Sequence, residues 1–579
     1  MATIGSDGVP MEKRTKVEDL IVNIGSEKRR HALGISVNEA LDCKEAVAGR
    51  LDNELVPLSH SIIGSEVFLE PVMLACPDGI RVLVETLKFL LKIAKTQCKP
   101  DLAITIGKPI GAAYYCMLAD RVTGEPHIPS NELLQTLQCC MEKLVDSSSP
   151  MQYKVVAATS AIASLSATGS GFTAKMIEDY NGAQIEVVEC QGVCHRPLAP
   201  TMTNTNMVPK GSFKLSAFKE GFLLEHFRYD PQSGQPKHWR YDIVSSDLLY
   251  DEYVARLAWA KAVGLHSIAQ LNEAIRNGRS KKVIQAVEAN CDRQFVELAA
   301  KVKARGNVKL LLIAGPSSSG KTTFAKRLQV QLEALGLKPV VLSVDSFYKP
   351  WQDITTEGPQ KVDWESLDSL NVHLLNEVLL NLMAGKESLI PEYDMKTSMP
   401  MDRSHWTTMK LNENGKGLII MEGIHCLNPS LTPSVPREQK FNIAIAPIPA
   451  LQLDALHVLS GTTLRLLRRM VRDFLFRGRP VLATLRQWPS VVAGEVNNIY
   501  PHQCNADAVM NSEIGYEMCV LKVHAEPLLK MVPPTEKEYS EVRRILQTLE
   551  QFIALPTNII PPQSLVQEFV GGSWYYDYG

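Results

Sequence analysis

The sequence is poor in cysteine, with twelve scattered through 579 residues. That excludes a disulfide-stapled scaffold and suits reduced thiols in a reducing compartment. No stretch approaches the ~18 uninterrupted apolar residues of a membrane span, and Met1 to Arg14 carries no apolar core of a secretory leader. A charge surplus is also missing. The 61 basic and 63 acidic residues give a formal net charge of −2, so nothing global draws the chain to nucleic acid or an anionic membrane, and any basic site must be local. Solenoid repeats and low-complexity tracts are absent. What is there, 45% hydrophobic and 21% charged residues with 35 Gly and 34 Pro, excludes coiled coil, collagen and wholesale disorder. The expectation is a cytoplasmic chain of several domains, since 579 residues far exceeds the ~150 of a common domain.

Residues 1–75 read as a small α+β module: Glu18 to Ile24 alternates, Ser36 opens a short helix and Glu66 to Leu69 is extended. Over 76–260, amphipathic helices (Ile80 to Thr96, Ser130 to Val145) alternate with β-like runs (Leu102 to Ile106, Gln184 to Glu189), predicting a second α+β domain in which 196–240 is loop-rich. Helices are expected at Asp247 to Val263, Ser267 to Asn277 and Lys281 to Arg305, so 261–306 reads as a helical connector with the main boundary near 295–306. Residues 307–525 alternate apolar strands with helical patterns, the signature of an α/β fold whose parallel sheet is flanked by helices. Residues 526–579 read as a C-terminal helix and tail.

The chemistry concentrates after residue 310. The apolar run Leu310 to Ala314 leads into Gly315-Pro316-Ser317-Ser318-Ser319-Gly320-Lys321-Thr322 and then a helix-forming stretch. This is the G-x-x-x-x-G-K-[ST] phosphate loop in its strand-turn-helix context. Glycines let backbone N–H groups curl round phosphate oxygens, and the helix presents its positive end to them. Gly315, Ser317, Ser318, Ser319, Gly320, Lys321, Thr322 and Thr323 are therefore the predicted ATP cradle, with Lys321 on the β/γ phosphates and Thr322 on Mg²⁺.

Two acids follow on strand ends. Val340 to Val344 delivers Asp345 at a strand's carboxyl end, where a base for an attacking hydroxyl belongs. Gly417 to Met421 delivers Glu422, placed to face Mg²⁺, through a metal-bound water. An N-K-x-D signature is absent, which favours a kinase over a GTPase. Arg465, Arg468, Arg469 and Arg472 then share one helical face, with Arg477 and Arg479 beyond and Asp473 the one acid among them. In a phosphate-loop kinase such a stripe is a lid over the transferring phosphoryl; a nucleic-acid patch or a solvated cationic face is the alternative.

Taken together, Gly315 to Thr322, Asp345-Ser346-Phe347-Tyr348, Glu422-Gly423-Ile424 and Arg468 to Asp473 occur in the order of the uridine kinase / phosphoribulokinase family, which residues 308–520 resemble. The resemblance implies a P-loop NTPase sheet and transfer from Mg²⁺-ATP to a nucleoside 5′-hydroxyl, with uridine or cytidine as acceptor in pyrimidine salvage. It makes Asp345 the base, assigns Asp363 to the ribose hydroxyls and Tyr393 to the base, and matches Arg469, Arg472, Arg477 and Arg479 to the lid: Arg469 and Arg472 catalytic, Arg477 on ATP, Arg479 on the acceptor. The family histidine five residues after that tyrosine is Ser398 here, which puts uridine specificity in question.

The N-terminal half resembles a TGS-like module followed by the second additional domain of threonyl-tRNA synthetases. The four editing positions of that domain fall on Glu85, Phe89, Cys194 and Leu198, of which only the cysteine is kept. Cys194, with Cys190 and a surface His195, is expected to be an ordinary thiol rather than a metal site, and a binding or regulatory role replaces editing. RNA binding by this half, a homo-oligomer, a nucleotide-sensing regulator and a kinase for another small alcohol or sugar phosphate stay open.

Overall fold

The computed structural model describes residues 20–110, 113–169, 171–178, 184–229, 236–237, 247–355, 362–394, 397–411 and 417–576. Two compact units divide the chain: residues 1–106, 112–239 and 533–544 in one, and 107–111, 240–532 and 545–579 in the other. Among the described residues no helix is long and apolar enough to cross a membrane, and all twelve cysteines are free. The predicted strand over Glu18 to Ile24 begins at Leu20 in the structure, Glu18 and Asp19 lying outside the described residues.

In the first unit, Leu20–Ile24 lies between Glu27–His31 and Glu66–Val72 in a five-stranded sheet completed by Ala48–Leu51 and Glu54–Val56. Ser36 caps the helix Val37–Leu41 through a capping box with Glu39, and the helix buries Val37, Ala40 and Leu41 with Leu20, Val22 and Leu69. Two amphipathic helices follow, Pro77–Cys98 and Asn131–Asp146. The stretch expected to be loop-rich also holds a β-hairpin, Phe213–Phe218 against Gly221–His226. Its second strand shows no alternation, because Gly221 to Leu224 are all buried, and Gly221 is required because a Cβ there would lie 2.3 Å from the Cys116 carbonyl oxygen.

His195 is not a surface residue. It is buried, its Nε2 lies 2.9 Å from Glu85 Oε1, and its ring stacks on Phe89 at 5.1 Å. Glu85 Oε1 also accepts the Leu198 N–H at 3.2 Å, so Glu85, Phe89 and Leu198 meet at this histidine.

The second unit is built on a parallel sheet. Its strands are β1 (Leu310–Ala314), β2 (Lys338–Ser343), β3 (Gly417–Glu422), β4 (Lys440–Ala446) and β5 (Ala508–Asn511), in the order β2-β3-β1-β4-β5. β1 and β3 are buried along their whole length, the unbroken apolar reading expected of a parallel sheet covered on both faces. Helix α1 (Lys321–Ala334) follows β1; α2 (Gly461–Arg477), α3 (Val481–Asn498) and α4 (Glu517–Lys530) come later. Leu310, Leu312, Leu342, Ile419 and Met421 share one core with Leu375 and Leu379 of the helix Val372–Met383. This unit reaches back to residue 240, upstream of the boundary expected near 295–306. The reason is packing: in the long helix Ser280–Arg305, Phe295 lies 5.2 Å from Phe324 of α1, with the Arg327 guanidinium 4.2 Å from its ring.

Candidate active site

The phosphate loop joins β1 to α1 over residues 315–320. Gly315 has no room for a side chain, since a Cβ would lie 2.0 Å from the Ile445 carbonyl oxygen, and Gly320 turns into the helix at φ +89°, where a side chain would be strained. The hydroxyls of Ser318 and Ser319 are buried and have no partner among the described residues. Lys321 Nζ donates to the Pro316 carbonyl at 3.3 Å. Ser317 is held from the lid side, its hydroxyl accepting from Arg469 at 2.7 Å and its carbonyl from Arg465 at 3.1 Å. Orphaned hydroxyls, a glycine cradle and the N-terminal end of α1 together fit a polyphosphate.

Glu422 ends β3 and is buried. Its Oε1 accepts from Ser343 at 2.8 Å and from Thr322 at 3.3 Å. Burial and then the neighbouring Asp345 push its pKa up to about 7, against Lys321 and the Ser343 hydrogen bond. Asp345 sits on the single turn Val344–Phe347 after β2. Burial raises its pKa, while Lys321, Arg477 and Arg472 pull it back. Thr322 in the first turn of α1 thus stands beside Glu422 at the end of β3 and Asp345 on the turn after β2, the oxygen-rich setting that suits Mg²⁺.

The arginine stripe divides. Arg465 pairs with Glu495 of α3, its NH2 2.6 Å from Oε2. Arg468 pairs with Glu517 of α4 and donates to the Ser512 carbonyl at 2.7 Å. Asp473 instead gathers three others: Arg472 at 2.9 Å, Arg469 at 3.4 Å and Arg477 at 3.4 Å. Burial alone would raise the pKa of Asp473, but these guanidiniums hold it below the usual carboxylate value. Burial brings Arg469 down to about 10, so it stays charged at neutral pH. Arg479 and Arg469 both donate to Gln487 Oε1, at 2.7 and 3.0 Å.

On the acceptor side, Tyr393 forms an aromatic cluster with Tyr348 (5.5 Å) and Trp364 (6.4 Å), and its buried hydroxyl has no partner among the described residues. Ser398 adopts φ +57°. Asp363 is exposed, and its Oδ1 accepts the Glu365 N–H at 3.1 Å, so it closes a local turn. Glu365 is the acid that turns inward. Its stem packs on α3, where a Cβ on Gly494 would lie 2.5 Å away, and its buried Oε2 has no partner among the described residues. Burial raises its pKa to about 7, tempered by Arg469 and Lys321 and reinforced by Glu495 and Asp345. Motif reading did not select Glu365, although it lies in the same Val362 to Asp368 segment that pointed to Asp363.

Residues 310–514 match the model of the Phosphoribulokinase / Uridine kinase family. The chain is 26% identical over 184 residues to the uridine kinase of Ureaplasma parvum, covering 32% of this chain and 78% of that protein. It is 30% identical over 207 residues to the uridine kinase of Schizosaccharomyces pombe, 34% and 38% of the two chains. A solved structure described as a "possible uridine kinase" from Bacillus stearothermophilus aligns at 18% identity and a TM-score of 0.26, covering 38% of this chain and 98% of that one. The motifs Gly315 to Thr322, Asp345, Glu422 and Arg468 to Asp473 all fall inside residues 310–514 of the second unit, the stretch that matches the phosphoribulokinase / uridine kinase family model.

Proposed function

We propose that the second unit is an ATP-dependent kinase that phosphorylates the 5′-hydroxyl of a nucleoside, with uridine and cytidine the first acceptors to try. The observation that carries this reading is the half-buried Asp345 on the turn after β2, within electrostatic reach of Lys321, Arg472 and Arg477. When bound, Mg²⁺-ATP supplies the transferable phosphoryl group and part of its charge compensation. Thr322 and Glu422 would hold the metal, and Lys321 with the loop N–H groups the phosphates. Asp345 accepts the hydroxyl proton, and Arg469, Arg472 and Arg477, already preorganised on Asp473, offset the oxyanion charge.

A second acceptor class has specific support. Asp363 is exposed and closes its own turn, and Ser398 stands where the resemblance expects a base-reading histidine. Both features favour an acceptor other than a pyrimidine nucleoside, such as another small alcohol read by Glu365. We place the protein in a reducing, cytoplasmic setting, in keeping with its free thiols, and assign the first unit a binding role, with Glu85 and His195 engaged with each other rather than with a substrate. The test is an ADP-release screen over nucleosides and sugar phosphates with Asp345→Asn as the blank. Turnover of uridine or cytidine supports the first reading, turnover of another alcohol the second. Acceptor-dependent ADP release by Asp345→Asn equal to wild type overturns both.

A further inference from the structure

The segment Ser564–Tyr576 belongs to the second unit, and no role in phosphoryl transfer accounts for where it goes. Its first half is core. Leu565, Val566 and Phe569 are fully buried, and the Arg468 guanidinium lies 5.0 Å from the Phe569 ring. The short helix Gln567–Val570 then delivers Glu568 to the phosphate loop. Glu568 is buried, and its Oε2 accepts the N–H of Thr323 in the first turn of α1 at 3.3 Å.

Gly571 and Gly572, at φ +93° and +84°, turn the chain beside Phe476 of α2, where a Cβ on Gly571 would lie 3.2 Å from the ring. The returning chain, an irregular turn, lies along α1. Lys326 Nζ donates to the Tyr575 carbonyl at 2.6 Å and lies 5.3 Å from the Tyr576 ring centre. The Tyr576 hydroxyl meets that of Thr322, and Glu568, Arg472 and Glu422 all act on it electrostatically. One carboxylate and one phenol of this chain therefore engage the backbone donor, the hydroxyl and the arginine side of the site that the loop offers to phosphates.

A carboxylate at a helix N-terminus is an anion in an anion's place. Glu568 and a nucleotide phosphate need the same Thr323 donor, and Tyr576 needs the same Thr322 hydroxyl as the metal. We propose that the segment Ser564–Tyr576 is a built-in phosphate mimic: Glu568 and Tyr576 occupy the nucleotide's phosphate subsite and must withdraw before ATP binds. The hinge is the Gly571-Gly572 pair for Tyr576 and a side-chain rotation for Glu568, so Phe569 can stay seated while the site opens. Added phosphate charge drives the exchange, because a polyphosphate offers several oxygens to the donors that one carboxylate and one phenol now share.

This inference rests on the second unit binding ATP, and nucleotide binding alone tests it. Mg²⁺-ATP is titrated calorimetrically into the full-length wild type, Glu568→Gln, Tyr576→Phe and the double variant, with circular dichroism confirming that each is folded. Each single variant is expected to bind ATP about tenfold more tightly, the size of one charge-assisted hydrogen bond at a helix terminus, and the double variant tighter still. Tighter binding only in the double variant also supports the mimic, the two groups then substituting for each other. Equal, measurable affinity in all four proteins, or weaker binding in the variants, overturns the inference while leaving the ATP site standing. Absence of binding in all four overturns the ATP site and the mimic with it.

Discussion

The Arg468 guanidinium closes a bidentate pair on Glu517, Nε to Oε2 at 2.7 Å and NH2 to Oε1 at 2.8 Å, with both side chains buried. The same arginine donates to the carbonyls of Ser512 and Ser318, so it ties α2 to α4 and to the phosphate loop from behind. Arg468→Met leaves Glu517 buried without its counter-charge and is expected to cost about 3–5 kcal/mol. Urea denaturation measures this, and Arg468→Met/Glu517→Leu is expected to recover most of the loss. No recovery would show that the pair is not the source of the effect.

Asp345 carries the proposed chemistry without holding the loop together, so its loss should separate catalysis from binding. Asp345→Asn is expected to lower kcat by about 10²- to 10⁴-fold, the worth of a general base, with nucleotide affinity within about threefold of wild type. Single-turnover kinetics beside calorimetry read both. A parallel loss of affinity would instead make Asp345 part of the nucleotide site.

Glu365 and Glu422 give the fold a pH dependence of definite sign. Burial raises both to about 7, above the ordinary glutamate value of 4.5. Between those values the folded state holds protons that the unfolded state has released, so stability falls as pH rises through that window. The thermal midpoint without nucleotide is expected to drop from about pH 5 to about pH 7.5 and then level off. Glu365→Gln removes one of the two titrations and flattens the drop; an unchanged slope would show that Glu365 does not carry it.

How legible all this was depended on the range of each interaction. The phosphate loop is a local device, and eight consecutive residues, Gly315 to Thr322, declare it. Helical spacing put four arginines on one face but could not divide them, because the acids that take Arg465 and Arg468 lie 30 and 49 residues further along. Asp363 and Glu365 are two residues apart on an irregular turn, where no periodicity indicates which carboxylate faces inward. Glu568 meets Thr323 across 245 residues, and no pattern in either segment announces the meeting.

Glu422 is held in place by two hydroxyls, Ser343 at 2.8 Å and Thr322 at 3.3 Å. A carboxylate that shares a hydroxyl with a proposed metal ligand orients that ligand as well as contributing charge, and losing such support commonly costs 10–100-fold in metal affinity. Glu422→Gln keeps the shape and an acceptor oxygen but removes the charge. The Mg²⁺ concentration for half-maximal rate is therefore expected to rise about tenfold or more, with metal-free nucleotide binding unchanged or tighter, since one negative charge leaves the phosphate site. Ser343→Ala keeps the charge and removes one support, so its shift should be in the same direction and smaller. If Glu422→Gln lowers kcat at saturating Mg²⁺ with no change in the half-maximal concentration, Glu422 acts on the reacting groups and not on the metal.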